Sequence, residues 1–337
     1  MSLTRRTAEA VDAGLDQLVR DQLPSGEFES HATPLGVEPA WEADSSVFVT
    51  SLCVLALGAV EDDRVAAMSA RARDLIRREA APGPLWRFWT HDHDRHREIP
   101  CDADDTACAT MALGGDGPDA GRSRRLLLAN RDAEGRFRTW FLPRGAAAWS
   151  PGRLRNSLGE LRDRSRRAAF WEMTEADPDD VDGVVNANVL RLLGPASPTA
   201  AVELVSDAVR SGRERECDSW HRNEHSCWWS LADGHRRGVP YADEVVSTVV
   251  ERIRERAEVP APDETPLDVG HALAALRALR PDGDPATGPL VERLLAAQRD
   301  DGSWERSIFF YGGPKEVFAW GSSAYTTAVA VGALDGA

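Results

Sequence analysis

The chain of 337 residues carries 55 acidic and 40 basic side chains, a formal net charge of −15, and 42 % of its residues are hydrophobic. The negative charge argues against nucleic acid as a partner, and this hydrophobic fraction excludes wholesale disorder. No stretch approaches the roughly 20 apolar residues of a transmembrane segment. The first residues contain no apolar signal core, so we expect a cytoplasmic protein.

Two kinds of segment alternate along the chain, six of each. The first kind places Leu, Val and Ile at three- and four-residue spacing among charged residues, which is typical of helices with one solvent-exposed face. These segments are residues 6–23, 62–80, 119–130, 198–214, 241–257 and 286–298. The second kind is apolar and almost uncharged, which is typical of helices buried on all sides. These segments are residues 45–58, 103–114, 183–194, 226–234, 267–279 and 321–334.

The strict alternation predicts an all-α fold, an (α/α)6 barrel of six inner and six outer helices that forms one domain over residues 1–337. The inner helices of such a barrel run in one direction, so their N-termini meet at one mouth. A polar glycine turn followed by an aromatic residue recurs at LVRDQLPSGEF (18–28), LLANRDAEGRF (127–137) and LLAAQRDDGSW (294–304). We interpret these three segments as one repeated structural turn.

A long insertion, residues 131–180, separates the third outer helix from the third inner helix. Helix connections usually take roughly 2–8 residues. Residues 122–167 contain 13 Arg and only four acidic residues. This basic stretch either binds an acidic or phosphorylated partner or pairs with the acidic remainder of the chain, and the sequence leaves both open.

The second inner helix opens with PCDADDTA at residues 100–107. Asp102 suits the N-cap, and Asp104 and Asp105 suit the positive end of the helix dipole. Three carboxyls at the mouth of an apolar barrel cannot all ionise cheaply, because repulsion and desolvation favour the protonated form. A neutral carboxylic acid in a dry cavity can protonate an alkene. Indole faces would stabilise the resulting carbocation, and the chain has 11 Trp.

The string DADDTA resembles the DxDDTA acid motif of class II terpene cyclases, the group of copalyl-diphosphate-type diterpene cyclases and squalene–hopene cyclase. QRDDGSW at 298–304 resembles the QW repeat of the same superfamily. The resemblance implies that Asp104 donates the proton while Asp102 and Asp105 hydrogen-bond to it and polarise it. Family members usually pair two barrels around the cavity, whereas this chain has one. The insertion, a second copy or a partner chain would then close the mouth, or the barrel interior would be the pocket.

The function implied is protonation-initiated cyclisation of a linear isoprenoid, with a head group that the sequence leaves open. Protonation requires no cofactor. If the head group is a diphosphate, the Arg-rich insertion would clamp it and Mg²⁺ would assist binding. We predict no metal site: His221, Glu224 and His225 fit the zinc string H-x-x-E-H, but no third ligand stands out. We interpret that stretch as an aromatic wall with solvated edges.

Candidate substrate-binding residues lie at or near the starts of the inner helices or inside them. An Asn in an apolar helix must be hydrogen-bonded. Asn186 would either bond to a substrate or an acid in the cavity, or form with Asn188 a buried polar link between helices. We predict that the pocket is formed by Trp41, Trp171, Asn186, Trp228, His271, Trp320 and Tyr325. Asn186, His271 or a water molecule would remove the last proton.

Two other functions fit an (α/α)6 barrel. A carbohydrate-active hydrolase or lyase would pair one of the three aspartates with Asp182 or Asp268 across a water-filled mouth. A non-catalytic barrel would bind a lipid or a partner protein. A monomer without a cavity large enough for a prenyl chain would favour the latter.

Overall fold

The computed structural model describes residues 2–144 and 153–335. Six helices form a closed inner ring in which each helix packs on the next and the last packs on the first. They are α2 (Val47–Ala56), α4 (Ala103–Ala112), α8 (Gly183–Leu193), α10 (Glu224–Arg236), α12 (Pro266–Leu279) and α14 (Ser323–Asp335). Nearly all their residues are buried, which agrees with their lack of charge.

Six amphipathic helices surround the ring, each against an inner helix. They are α1 (Leu3–Asp21), α3 (Asp63–Arg78), α5 (Gly117–Leu128), α9 (Thr199–Ser211), α11 (Asp243–Glu258) and α13 (Thr287–Ala297). The predicted helical barrel of alternating outer and inner helices is confirmed. No helix in the described part of the chain is both long enough and apolar enough to cross a bilayer.

The glycine turns tie the outer helices to the inner ring. At one of them Gly302 has a φ of +89°, and a Cβ there would lie 2.5 Å from a backbone oxygen of α1. The following Trp304 donates its backbone N–H to Thr327 of α14 (3.1 Å) and its indole N–H to a carbonyl of α13 (2.8 Å). Trp86 makes the same two bonds, to Thr106 of α4 (3.2 Å) and to a carbonyl of α3 (2.8 Å). These turns are structural, as their repetition indicates.

A small antiparallel sheet, which the all-α prediction omitted, lies beside the barrel. Its order is β2-β1-β4-β3, and its central pair joins segments far apart in the chain, for example Ala32 opposite Trp320. The strands are too short for their alternation to be recognised in the sequence, and the two segments of the central pair are remote from each other. They are β1 (Ser30–Pro34), β2 (Glu42–Asp44), β3 (Ser307–Tyr311) and β4 (Phe318–Ser322).

The insertion contains two further helices, α6 (Leu154–Arg162) and α7 (Arg164–Thr174), while its residues 145–152 lie outside the described residues. Phe170 of α7 stacks on Trp220, just ahead of α10, with ring centroids 6.0 Å apart and planes 7° apart. The insertion therefore packs on the segment that leads into α10.

Candidate active site

The acid motif lies at the N-terminus of α4, inside the mouth of the barrel. Asp102 is the N-cap, and its carboxylate accepts the backbone N–H of Asp105 at 2.7 Å. Asp102, Asp104 and Asp105 are only 7 %, 5 % and 3 % exposed. The cap leaves Asp104 free of backbone bonds, so its carboxyl can interact with the neighbouring inner helices.

Asp104 is held by two donors from other helices or loops. Asn188 of α8 donates its Nδ2–H to Oδ1 at 2.7 Å, and Nε2 of His221, just ahead of α10, donates to Oδ2 at 2.8 Å. The amide oxygen of Asn188 accepts from Arg191 (2.7 Å) and Ser230 (3.0 Å), so its NH₂ group must point at Asp104. Each oxygen of this buried carboxyl therefore has one fixed donor.

The surroundings of His221 hold it in place and raise its pKa. Its backbone N–H donates to Oδ1 of Asp218 (2.8 Å), and Oδ2 of Asp218 accepts from the N–H groups of Val184 and Val185 at the start of α8 (2.9 and 3.2 Å). Burial lowers the pKa of His221, but the hydrogen bond to Asp104 and the surrounding carboxylates more than offset it and raise the pKa overall. The shift favours the protonated ring, whose Nε2–H donates to Asp104.

Burial changes the protonation of the other carboxyls at this end of the barrel. It raises the pKa of Asp102 to about 7, against the hydrogen bond with Asp105. Burial and the charge of Asp102 raise the pKa of Asp105 well above its ordinary value. Burial and the charge of Asp218 raise the pKa of Asp182 to about 8. Burial therefore favours the uncharged form of these three carboxyls.

Next to Asp104 is a small cavity, the acid chamber, with a free volume of about 10 Å³. Asn188 and His221 present their side chains to it. Its lining is otherwise apolar, aromatic or hydroxyl-bearing, and comprises Leu52, Val184, Asn188, His221, Ser226, Trp229, Ser230, His271, Phe309 and Tyr325.

A second cavity of about 10 Å³, the aromatic chamber, lies nearer the mouth. Phe310 lines it and meets His221 edge to face, with ring centroids 5.1 Å apart, so these two rings separate the chambers. The remaining wall comes from α7, the sheet, the segment after α3 and the segment before α10. Its aromatic members are Phe88, Trp89, Phe170, Trp220, Phe318 and Trp320.

A histidine and a tyrosine meet on the wall of the acid chamber. Nε2 of His271 is hydrogen-bonded to the hydroxyl of Tyr325 at 2.9 Å, and the ring of Trp229 stacks on His271 with centroids 5.0 Å apart. Burial, together with nearby positive charges, holds the pKa of His271 well below its ordinary value. Its Nδ1 is buried and has no hydrogen-bond partner within the described ranges. His271 is therefore a neutral base.

Solved structures resemble this chain over nearly its whole length. A variant of the type II terpene cyclase MstE from Scytonema, in complex with its substrate geranylgeranyl dihydroxybenzoate, has a TM-score of 0.72 and 15 % identity, covering 99 % of this chain and 98 % of that chain. A second variant, in complex with the product merosterolic acid A, has a TM-score of 0.73 and 16 % identity, with coverage of 98 % and 97 %. This chain has the fold of a type II terpene cyclase. No family model and no curated protein matches the sequence.

Within the cyclase fold, the position of Asn186 corrects the prediction that it faces the cavity. Its Oδ1 accepts the backbone N–H of Phe137 (2.9 Å), and its Nδ2 donates to the carbonyls of Phe137 (2.9 Å) and Asp182 (2.8 Å). Thr106 and Thr327 accept the same backbone bond from other glycine turns. Asn186 is thus the equivalent structural residue for the turn at 127–137.

Three of the four predicted tryptophans lie outside both chambers. Trp41 is half-buried at the sheet, 5.2 Å from the guanidinium of Arg306. Trp171 meets Trp140 edge to face, with centroids 5.3 Å apart. Trp228 points away from the axis and donates its indole N–H to a carboxylate before α10, that of Glu214 (3.0 Å).

The remaining predicted residues do line the chambers. His271 and Tyr325 belong to the acid chamber. Trp320 belongs to the aromatic chamber, and its indole N–H donates to Asp44. Sequence reasoning did not select Asn188, His221 or Trp229, because nothing in one sequence shows which face of an inner helix points to the axis. In particular, His221 is buried and not at a solvated edge.

The two carboxyls considered for carbohydrate chemistry serve other purposes. Asp268 closes a capping box with Thr265 at the start of α12. Asp182 accepts from the hydroxyl of Thr139 (2.6 Å) and from the backbone N–H of Ser219 (3.0 Å). Within residues 2–144 and 153–335, no group of three His, Cys, Asp or Glu side chains is arranged to hold a metal ion.

Proposed function

We propose that this chain is a class II-type terpene cyclase that protonates an alkene or epoxide of a linear isoprenoid from Asp104. The observation that carries the proposal is the buried carboxyl of Asp104, held on both oxygens by Asn188 and His221 beside an apolar chamber. The similar MstE structures hold a geranylgeranyl compound and a cyclised product, which supports an isoprenoid substrate.

Proton transfer would leave a carboxylate on Asp104 and a carbocation on the substrate. The amide N–H of Asn188 and the imidazolium of His221 are already aimed at the two oxygens, so they stabilise the charge as it develops. Aromatic faces stabilise the cation, and the aromatic lining excludes water that would quench it.

The last proton must leave the substrate cation for a base. When Nε2 of His271 carries the ring proton and donates it to the hydroxyl of Tyr325, Nδ1 is a neutral acceptor, and the same bond orients the ring in the acid chamber. Loss of that proton from the carbon next to the cation forms the final double bond. Proton uptake and release balance, so the overall reaction is an isomerisation.

The head group and any metal are a separate part of the proposal. Cyclisation by protonation needs no cofactor. If the head group is a diphosphate, arginines of the insertion would hold it, and Mg²⁺ would be bound mainly by the diphosphate oxygens, because the described residues form no metal site of their own.

The small chambers favour a second candidate function. Each has room for about one water molecule. An isoprenoid can reach Asp104 only if Phe310 and neighbouring rings move. A barrel that stays closed would bind a partner or lipid without turnover, which is the alternative that the sequence left open.

The test is Asp104→Asn, assayed by mass spectrometry with linear isoprenoids of about C10 to C30. We expect the variant to lose at least about 10³-fold in rate, because the side chain no longer has an acidic proton. Asp179→Asn, in the exposed D-x-D-D string at 177–180, is the matched control and should keep full activity. Cyclisation retained by Asp104→Asn would remove this residue from its role. Binding of the isoprenoid without any product from the unaltered chain would support the second candidate.

A further inference from the structure

A basic cleft lies outside the mouth of the barrel, between α6 and the segment that follows α3. Its volume is about 760 Å³. Neither chamber is part of it, and its charged or titratable lining comprises Arg87, His91, His96, Arg97, Arg155, Arg162 and Asp163.

Positive charge exceeds negative charge among the buried side chains in the cleft and beside it. Arg87, Arg153 and Arg167 are each at most 9 % exposed. Of the three, Arg87 lines the cleft itself, and the buried carboxylate of Glu160 lies 2.6 Å from Arg87 and 2.9 Å from Arg167. Arg87 and Arg167 share this carboxylate, whereas the guanidinium of Arg153 donates to the carbonyl of Leu142 (3.2 Å), so positive charge is in excess here. Buried charge of this kind is costly unless it is paired.

Several donors of these arginines are unused. The Nε–H groups of Arg87, Arg153 and Arg167 are buried without a hydrogen-bond partner in the described part of the chain. The same is true of the amide Nδ2 of Asn156, which lines the cleft beside Arg87. A guanidinium has five donors and no acceptor, and Arg87 and Asn156 line the cleft, so an acceptor bound in the cleft can satisfy these two residues.

The carboxylates nearest the cleft are already engaged. Asp163 accepts two hydrogen bonds from Arg97 (2.6 and 3.1 Å). Glu79 pairs with His91 (3.2 Å). Arg155, at the cleft surface, has no ion-pair or hydrogen-bond partner among residues 2–144 and 153–335. The positive surplus is therefore not cancelled by neighbouring side chains.

We propose that this cleft binds an oxyanion of the phosphate class, either free phosphate or diphosphate or the diphosphate head of a prenyl chain. Among the described residues the lining has four arginines and one carboxylate, so an anion with two or more charges would offset it better than a carboxylate would. Its tetrahedral oxygens match the planar donor fork of arginine. The cleft would bind its anion whether or not the chain cyclises isoprenoids.

The first experiment is calorimetric titration of the full chain with sodium phosphate and sodium diphosphate, at an ionic strength held constant with chloride. We expect one anion per chain. Arg155→Gln should weaken binding about tenfold, because a charge-assisted contact is lost. Arg166→Gln is the matched control: Arg166 is exposed on α7, does not line the cleft, and its loss should change affinity less than twofold.

Two results would overturn the proposal. One is the absence of binding of either anion to the unaltered chain. The other is an equal weakening in Arg155→Gln and Arg166→Gln, which would indicate attraction by overall charge alone. Because both residues are exposed, both variants should fold, and their unfolding temperatures check this.

A second titration identifies the source of the anion. If the cleft holds a prenyl head group, geranyl diphosphate should bind more tightly than inorganic diphosphate, and Arg155→Gln should weaken both. If free phosphate or diphosphate is the ligand, the geranyl chain should add no affinity. Either result supports the anion site. Neither depends on turnover, so a failure of the cyclase proposal would be recognised separately, in the Asp104→Asn assay.

Discussion

The outward and inward faces of the inner helices use the same residue types for different purposes. On α8, Asn186 faces the outer ring and bonds to the backbone at Phe137 and Asp182. Asn188, two positions later, faces the axis and donates to Asp104. Both asparagines are fully buried. Burial and residue type therefore do not separate a structural from a functional side chain here, and the face of the helix does.

The tryptophans of α10 show the same division. Trp228 points outward and bonds to Glu214 (3.0 Å). Trp229 lines the acid chamber, with the guanidinium of Arg191 4.1 Å from its ring and His271 stacked on it. Successive helical residues point about 100° apart, so one position is enough to move a ring from one face to the other.

The strongest test of this division is Asn188→Ala. We expect turnover by the folded enzyme to fall roughly 100-fold, because the carboxylate that forms on Asp104 loses one of its two fixed donors. Steady-state kinetics with the isoprenoid found in the Asp104 assay measures this. The change should appear in kcat more than in KM, since the donor acts mainly on the charge that develops during the reaction.

Asn186→Ala is its control, with the opposite expected pattern. Three bonds to backbone groups are lost in a buried site, so the free energy of unfolding should fall by about 2–3 kcal/mol. Turnover per folded molecule should stay within a factor of about two. A large loss of kcat in Asn186→Ala with unchanged stability would show that the two faces have been assigned the wrong way round.

A smaller effect is expected for Trp229→Leu. Leu cannot stack on His271 or hold the guanidinium of Arg191, so the chamber wall loosens, and we expect turnover to fall about tenfold with a broader set of products. Gas chromatography with mass spectrometry separates these products. Trp228→Leu should instead lower the free energy of unfolding by roughly 2–4 kcal/mol and leave the product set unchanged. Identical product sets from all three proteins would contradict the division.

Much of the barrel was predictable because the residue pattern that indicates each helix lies within that helix. The charge-free run that became α2 and the amphipathic run that became α11 differ in pattern within a dozen residues. The acid motif was predictable for the same reason, since Asp102, Asp104 and Asp105 are contiguous with a cap signal. Strand β4 was not, because its partner β1 lies nearly 300 residues earlier in the chain and its other partner, β3, is only five residues long.

The donors to Asp104 could not be predicted from one sequence. His221 and Asp104 are 117 positions apart, and Asn188 and Asp104 are 84 apart. Only the closure of the ring brings them together. A signal did exist for Asn186. On three other inner helices a threonine, Thr50, Thr106 or Thr327, accepts the backbone N–H of the aromatic residue that ends a glycine turn. Aligning the inner helices on those turns would have assigned Asn186 to the outward face.

The smallest expected effect concerns the protonation of Asp102. Burial raises the pKa of Asp102 from about 3.9 in an unfolded chain to about 7, so the native state holds this proton more tightly than the unfolded state does. The contribution of Asp102 to the free energy of unfolding should therefore be largest below about pH 4 and be lost as the pH rises to 7. Asp105 and Asp182, whose pKa values burial also raises, act in the same direction.

Asp102→Asn isolates one contribution, because Asn is as good an N-cap as Asp but does not titrate. Its fall in stability between pH 5 and pH 8, measured by urea unfolding, should be smaller than that of the unaltered chain by about 1 kcal/mol. The difference is modest because Asp102 and Asp105 interact, so Asp105 takes over part of the titration. Asp179→Asn removes an exposed carboxyl whose pKa Arg138 lowers, and it should leave the fall unchanged. Equal falls in all three proteins would mean that Asp102 is ionised across this range, and the inward face would then present a carboxylate where we infer an acid.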